Sequence, residues 1–135
     1  GDAHFIALDS EKINKEQIDW LENDLSKTNK SWKFVFFHEP PYTNIYKKVN
    51  KIVEEKFVPL FDKYHVDVIF NGHAHLYERT YPISEGKIID KELDSNYINP
   101  DGTIYIISGG AAEEKNVSVW AKENNYTSNL IKNLF

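Results

Sequence analysis

His73 and His75 stand two residues apart in Asn71-Gly72-His73-Ala74-His75, directly behind a short apolar run. On an extended backbone such a pair projects to one side, with roughly 6–7 Å between Cα atoms. Imidazoles converging from that separation can each reach one of two metal ions about 3.5–4 Å apart. Gly72 permits a tight turn off the preceding run and close approach of the backbone. His38 also follows directly on an apolar run, Trp32 to Phe37. An H-x-H pair alone is more often two surface histidines than a metal site. The pair gains weight because three of the five histidines fall at comparable places. His65, ending a helical stripe, is expected to cap that helix, and His4 to pack in or at the edge of the first strand.

The elements must bring these residues to one rim. Phe5-Ile6-Ala7-Leu8 reads as a buried strand ending at Asp9-Ser10, with Asp9 capping or turning the chain. Asn14-Lys15-Glu16-Gln17 fits a capping box, Asn14 as N-cap and Gln17 reaching back. Ile18, Leu21 and Leu25 then share one face of an amphipathic helix. Trp32 to Phe37 has the nearly continuous apolar pattern of a strand covered on both faces. Pro40-Pro41 keeps His38 to Asn44 a loop. Val49, Ile52, Val53, Phe57, Leu60, Phe61 and Tyr64 form a helical stripe that Pro59 should kink or restart near Val58.

Val66 to Phe70 reads as a third strand. Tyr77 to Ile83 and Lys87 to Asp90 form a pair joined by Ser84-Glu85-Gly86, and Thr103 to Ile107 is a further strand closed by Gly109-Gly110. The tail from Ala112 is polar and Asn-rich. Strands alternating with helices predict an α/β fold with parallel neighbours, whose ligands gather beyond the carboxyl ends of the strands. Asp9, His38 and the His73-Ala74-His75 element all fall at such ends.

Composition narrows the chemistry. The 135 residues suit one domain, and 41% hydrophobic with 14% aromatic residues supply a core. A net charge of −5 argues against general nucleic-acid binding, and no apolar run approaches the roughly 20 residues needed to span a bilayer. The chain has no Cys, which removes thiolate nucleophiles and Cys-type zinc sites. It also has no Met, so a start at Gly1 reads as processed or cut from something longer. A single arginine, Arg79, stands against 15 lysines, which suggests that a planar fork is needed there, most simply to clamp the loop carrying His73 and His75.

These motifs resemble a known family. Val35-Phe36-Phe37-His38-Glu39-Pro40 is similar to the V-x-x-H element of the calcineurin-like metallophosphoesterases, and Asn71-Gly72-His73-Ala74-His75 to their G-H-x-H element. Tyr77-Glu78-Arg79-Thr80-Tyr81-Pro82 looks like the purple acid phosphatase branch, as do Phe5 to Ser10 and Gly102 to Gly110. The resemblance covers residues 1–111 in the expected order. It implies the C-terminal half of a four-layer αββα sandwich with a mixed sheet, and metal-dependent hydrolysis of phosphate esters by a two-metal mechanism. His38 and His73 would bind one metal and His75 the other, with Fe, Zn or Mn as candidate ions. As ligands they must be neutral imidazoles, so acid should weaken metal retention. Glu39 and Tyr42 would face substrate, Asn71 and Gly72 would support the ligands, and Glu78 would partner Arg79 or a nearby amide.

The departures carry as much information. The family's D-x-G/H, G-D-x-x-Y and G-N-H-E elements are absent. Gly1-Asp2-Ala3-His4 is superficially similar to the first of them, but it precedes a strand where that element should follow one, which disfavours Asp2 as a ligand. Three imidazoles cannot hold two hard ions that each want five or six donors. Residues 1–135 are therefore expected to form the C-terminal portion of a catalytic domain, inactive alone. Its partners would be the missing N-terminal half, or a second copy meeting it through uncovered sheet edges and faces. The competing expectation is a non-catalytic binding or scaffold module holding one zinc on the three histidines. The resemblance also favours export, which would give meaning to the sequons at Asn29, Asn116 and Asn125.

Overall fold

The computed structural model describes residues 1–43, 50–89, 98–109 and 127–131. Val49, Asp90, Gly110, Asn116 and Asn125 lie outside the described residues. The elements run β1 (Ala3–Ala7), α1 (Lys15–Lys27), β2 (Trp32–Phe36), α2 (Lys51–Lys56), α3 (Val58–Lys63), β3 (Val68–Asn71), β4 (Tyr77–Thr80), β5 (Ile83–Ser84), β6 (Lys87–Ile88), β7 (Ile104–Ser108) and β8 (Thr127–Ile131). Six strands form one sheet in the order β1-β2-β3-β7-β4-β8. The first four are parallel, and β4 runs antiparallel to both β7 and β8. This is the expected mixed α/β sheet. The strand β8 lies in the tail that sequence pattern left unassigned.

Local signals explain most of the boundaries. Asn14 caps α1, its side chain accepting from Gln17 N at 2.9 Å. The other half of the expected box does not form. Gln17 instead reaches the end of β1, accepting from Asp9 N at 2.7 Å and donating to Asp9 O at 2.9 Å. Tertiary contact wins because those strand-end groups have no ladder partner there. Asp9 turns the chain as expected, accepting from the amides of Glu11 and Lys12.

The long stripe breaks at Phe57 into α2 and α3, with Pro59 in the first turn of the second helix where a missing N–H costs little. Asn50 caps α2 by accepting from Ile52 N and Val53 N. At the far end of α3, His65 adopts φ 51. Its amide donates to Asp62 O at 3.3 Å and that of Val66 to Phe61 O at 3.0 Å, so His65 ends the helix through its backbone, in the left-handed position usually given to glycine. His4 sits on the edge strand β1 and pairs with Asp24 at 2.6 Å.

The expected Tyr77–Ile83 strand is split. Pro82 offers no amide, so β4 stays in the main sheet while β5 joins β6 in a separate two-stranded sheet. Glu85 (φ 48) and Gly86 (φ 70) make their turn, the positive pair that a two-residue hairpin favours.

Strand register decides which face is covered. Ile6, Val35, Ile69 and Tyr105 are neighbours in one row across β1, β2, β3 and β7. All four are buried in the core with Leu21 and Leu25 of α1, Val53 of α2, and Val58 and Phe61 of α3. The alternate rows, Phe5-Phe34-Val68-Ile104 and Ala7-Phe36-Phe70-Ile106, must face the other way. There Phe5 is 66% exposed, Trp32 51% and Phe36 39%. The apolar pattern of β2 thus anticipates cover on two faces, and the described residues provide it on one.

Asp62 gives the fold a pH dependence. Burial pushes its carboxyl above the ordinary carboxylate range, opposed by the Glu85 amide donated to Oδ2 at 3.0 Å. A raised value means the fold favours the protonated form. The group's contribution is complete below the unfolded value, about 3.9, and is lost as pH rises through the higher folded one. Asp62→Asn keeps an acceptor without the charge. It is expected to be the more stable protein at pH 7 and to lose that advantage as pH falls below 4, as read by urea unfolding across pH. Equal midpoints at every pH would refute the assignment.

Candidate metal centre

His38 and His73 are brought together by the parallel ladder running on past the strands. Phe37 N donates to Phe70 O at 3.1 Å, and Gly72 N to His38 O at 3.1 Å. The Asn71 side chain, 5% exposed, adds a third tie by donating to Phe37 O at 2.9 Å. Gly72 leaves room for the imidazole: a Cβ there would lie 3.1 Å from His38 Nδ1, and the ring would have to give by a few tenths of an ångström. The two rings meet edge to face with centroids 5.2 Å apart, and His38 Nε2 lies 3.3 Å from His73 Nδ1.

The backbone of the H-x-H element is not extended, as the spacing argument assumed. Ala74 N donates to Gly72 O at 2.7 Å and Leu76 N to Ala74 O at 2.8 Å, two successive three-residue turns. His73 is at the centre of the first with φ 62, the strained form of that turn. Positive φ costs a residue with a Cβ roughly 1–2 kcal/mol, and such strain concentrates at functional sites. His73 and His75 are both exposed at this rim.

The donor set fits a metal ion in part. Two nitrogens bound at about 2.0–2.1 Å to one tetrahedral ion are separated by about 3.3 Å, and His38 Nε2 and His73 Nδ1 have that separation. His38 would then carry its proton on Nδ1 and His73 on Nε2. Among the described residues no three His, Cys, Asp or Glu side chains are grouped to hold a metal. His75 thus does not complete a three-histidine set with the other two.

The remaining candidates are placed as follows. Glu39, half-buried beside His38, is held by Ser10 Oγ, which accepts from its amide at 3.0 Å, and by Asn50 Nδ2, which donates to its carboxylate. Tyr42, expected to face substrate, packs in the core. It is 6% exposed, and its ring sits edge-on to Tyr105 with centroids 4.9 Å apart. An aromatic ring two residues beyond Pro40 gains more from that burial than from the rim. Glu78, 1% exposed, accepts from Thr43 Oγ1 at 2.8 Å. Arg79 follows it on the strand and so projects to the opposite face, paired in register with Ile106. Asp2 lies before β1, at the end of the sheet away from His38, and Ser31 hydrogen bonds hold its carboxyl below the usual range. A cavity of about 300 Å³ lined by Trp32, Asp62, His65, Asp67 and Thr103 also opens at that far end.

Sequence reasoning gave Gly109 only the end of a strand; the structure sets it against the histidine turn. A Cβ there would lie 2.1 Å from Ala74 O. A glycine directly after an apolar strand was the available signal, and nothing local says which segment it touches.

Comparison with known proteins agrees with the fold and the motifs. Residues 2–77 match the calcineurin-like phosphoesterase family, and the chain belongs to it. Its sequence relatives include acid phosphatases. Acid phosphatase type 7 of Mus musculus is 34% identical over 85% of this chain and 32% of its own length. The chain therefore spans about a third of that relative. Purple acid phosphatase PPD1 from yellow lupin shares the fold with a TM-score of 0.77 at 24% identity, covering 98% of this chain and 25% of that one. GAP50, described as the anchor in the inner membrane complex of Plasmodium, shares it with a TM-score of 0.70 at 18% identity, covering 96% and 38%.

Proposed function

We propose that this chain is the C-terminal portion of a metallophosphoesterase catalytic domain whose complete protein hydrolyses phosphate esters at two metal ions. The observation that carries the reading is the convergence of His38 Nε2 and His73 Nδ1 at 3.3 Å on the rim beyond β2 and β3. Family membership and acid phosphatase relatives support the reaction class. His38 and His73 hold one ion and His75 contributes to the other; iron, zinc and manganese all suit such donors. Metal ions held there supply Lewis-acid and water-activating chemistry for displacement at phosphorus. Gly72 and Asn71 hold the two histidine loops in register, and Glu39, fixed beside His38, is placed to meet substrate. The remaining ligands come from the rest of the domain, packed on the aromatic sheet face, so residues 1–135 are inactive alone. Export belongs to the same reading, with Asn29 exposed between α1 and β2.

The scaffold reading has the fold of the Plasmodium anchor in its favour. The form with one zinc on three histidines has less support, because no such trio is grouped. The complete metal-loaded protein is expected to hydrolyse a phosphomonoester and to lose that activity on His38→Ala. The 135-residue chain under the same assay is expected to show none. A complete, loaded protein without turnover would refute the enzyme reading. Turnover by the chain alone, lost on His73→Ala, would refute the incompleteness.

A further inference from the structure

We propose that Gly109 is a positioning residue of the histidine site: the end of β7 is the surface against which the turn carrying His73 and His75 is shaped. The inference rests on the metal-site reading above for its consequence, and on packing for its substance. Gly109 N donates to Leu76 O at 3.1 Å, fixing the end of β7 to the exit of the turn. A Cβ at Gly109 would lie 2.1 Å from Ala74 O, 2.8 Å from Ala74 C and 3.4 Å from Gly72 C. The obstructing atoms are backbone, so no side-chain rotation relieves them. The turn is also seated by Ala74 and Leu76, both fully buried with Ile107 of β7.

The end of β7 thus holds the turn in two ways, through a glycine that allows close contact and a small core that prevents retreat. His73 holds φ 62 at its centre because its neighbours on both sides are fixed. An added methyl at Gly109 must displace the Ala74 carbonyl by about 1 Å, a scale on which placement of reacting groups already matters by about 100-fold. The displacement passes directly to His73, one residue away, and to its contact with His38.

Gly102, before the other end of β7, is a matched control. Its Cβ would lie 3.0 Å from the N, C and O of Ile83, also backbone, but far from the histidines. The test compares Gly109→Ala and Gly102→Ala in the 135-residue chain by three readouts: thermal unfolding, imidazole ¹⁵N signals of the metal-free chain, and titration with Zn²⁺. Both variants are expected to melt earlier. Gly109→Ala alone is expected to shift the His38 and His73 ring signals and to weaken Zn²⁺ binding by about 10–100-fold. Unmoved ring signals in Gly109→Ala, or equal shifts in Gly102→Ala, would overturn the proposal. If Gly109→Ala does not fold, Ile107→Val loosens the same seat without a clash, and the two ring signals should still move; if they do not, the proposal fails. Should the wild-type chain take up no Zn²⁺ while Gly109→Ala still moves the rings, the positioning role stands, and Zn²⁺ titration of the complete protein decides the metal reading.

Discussion

His73→Gly is expected to yield a chain more stable than His73→Ala by roughly 0.5–1 kcal/mol, although both lose the same metal ligand. The difference follows from φ 62 at this position. Alanine keeps the Cβ and with it the left-handed penalty of about 1–2 kcal/mol, while glycine removes the penalty and adds about 0.5–1 kcal/mol of unfolded-chain entropy. Metal affinity should fall alike in the two variants. Losing a group that merely orients a ligand costs about 10–100-fold, and losing the ligand itself should exceed that range. The pairing of a stability difference with an identical loss of binding separates strain held for function from ordinary turn chemistry. Urea unfolding and Zn²⁺ titration of the two variants read it directly. Equal stabilities would remove the strain argument, and retained affinity in either would remove His73 from the site.

The second large effect concerns the open sheet face. Phe36 stacks on Phe70 with centroids 5.2 Å apart and lies 6.3 Å from Phe5, near the middle of an apolar surface that also carries Phe34 and Trp32. Contiguous apolar surface of this kind marks an interface. On the reading proposed above, copies of the 135-residue chain are expected to associate through it. Burying one phenylalanine contributes about 1.5–3 kcal/mol, and a two-fold symmetric pair counts each substitution twice. Phe36 is 39% exposed, so about 0.6–1.2 kcal/mol per copy remains to be gained, and Phe36→Lys should weaken self-association by about 1–2.5 kcal/mol, or roughly 10–60-fold in Kd. Sedimentation across a dilution series would measure both proteins. A wild-type chain that stays monomeric at high concentration would contradict the exposed-interface reading. In the complete protein the same lysine would be trapped unpaired beneath the second sheet, and loss of folded yield is expected.

Much of this was legible before any coordinates. The cap at Asn14 and the restart of the helix at Phe57 beside Pro59 follow from local chemistry, in which neighbours in sequence decide the outcome. The histidine motifs and their family resemblance were equally plain, because residue type and spacing are written in the chain. The continuous apolar character of Trp32 to Phe37 predicts cover on two faces, of which the described residues supply one.

Tertiary structure alone decided how the chemistry converges. His38 and His73 are 35 residues apart, and their 3.3 Å approach depends on the parallel register of β2 with β3. The positive φ of His73 contradicts its own preference, in a turn whose Ala74 and Leu76 pack with Ile107 and whose Ala74 carbonyl faces Gly109. Tyr42 lies in the interior with its ring edge-on to Tyr105, and Glu78, expected as a structural partner, accepts there from the Thr43 hydroxyl. Sequence determined which groups are available, through local backbone preference and side-chain chemistry. Packing between distant segments determined where they point, because the energies that fix a rim are shared among residues that no short window of sequence contains.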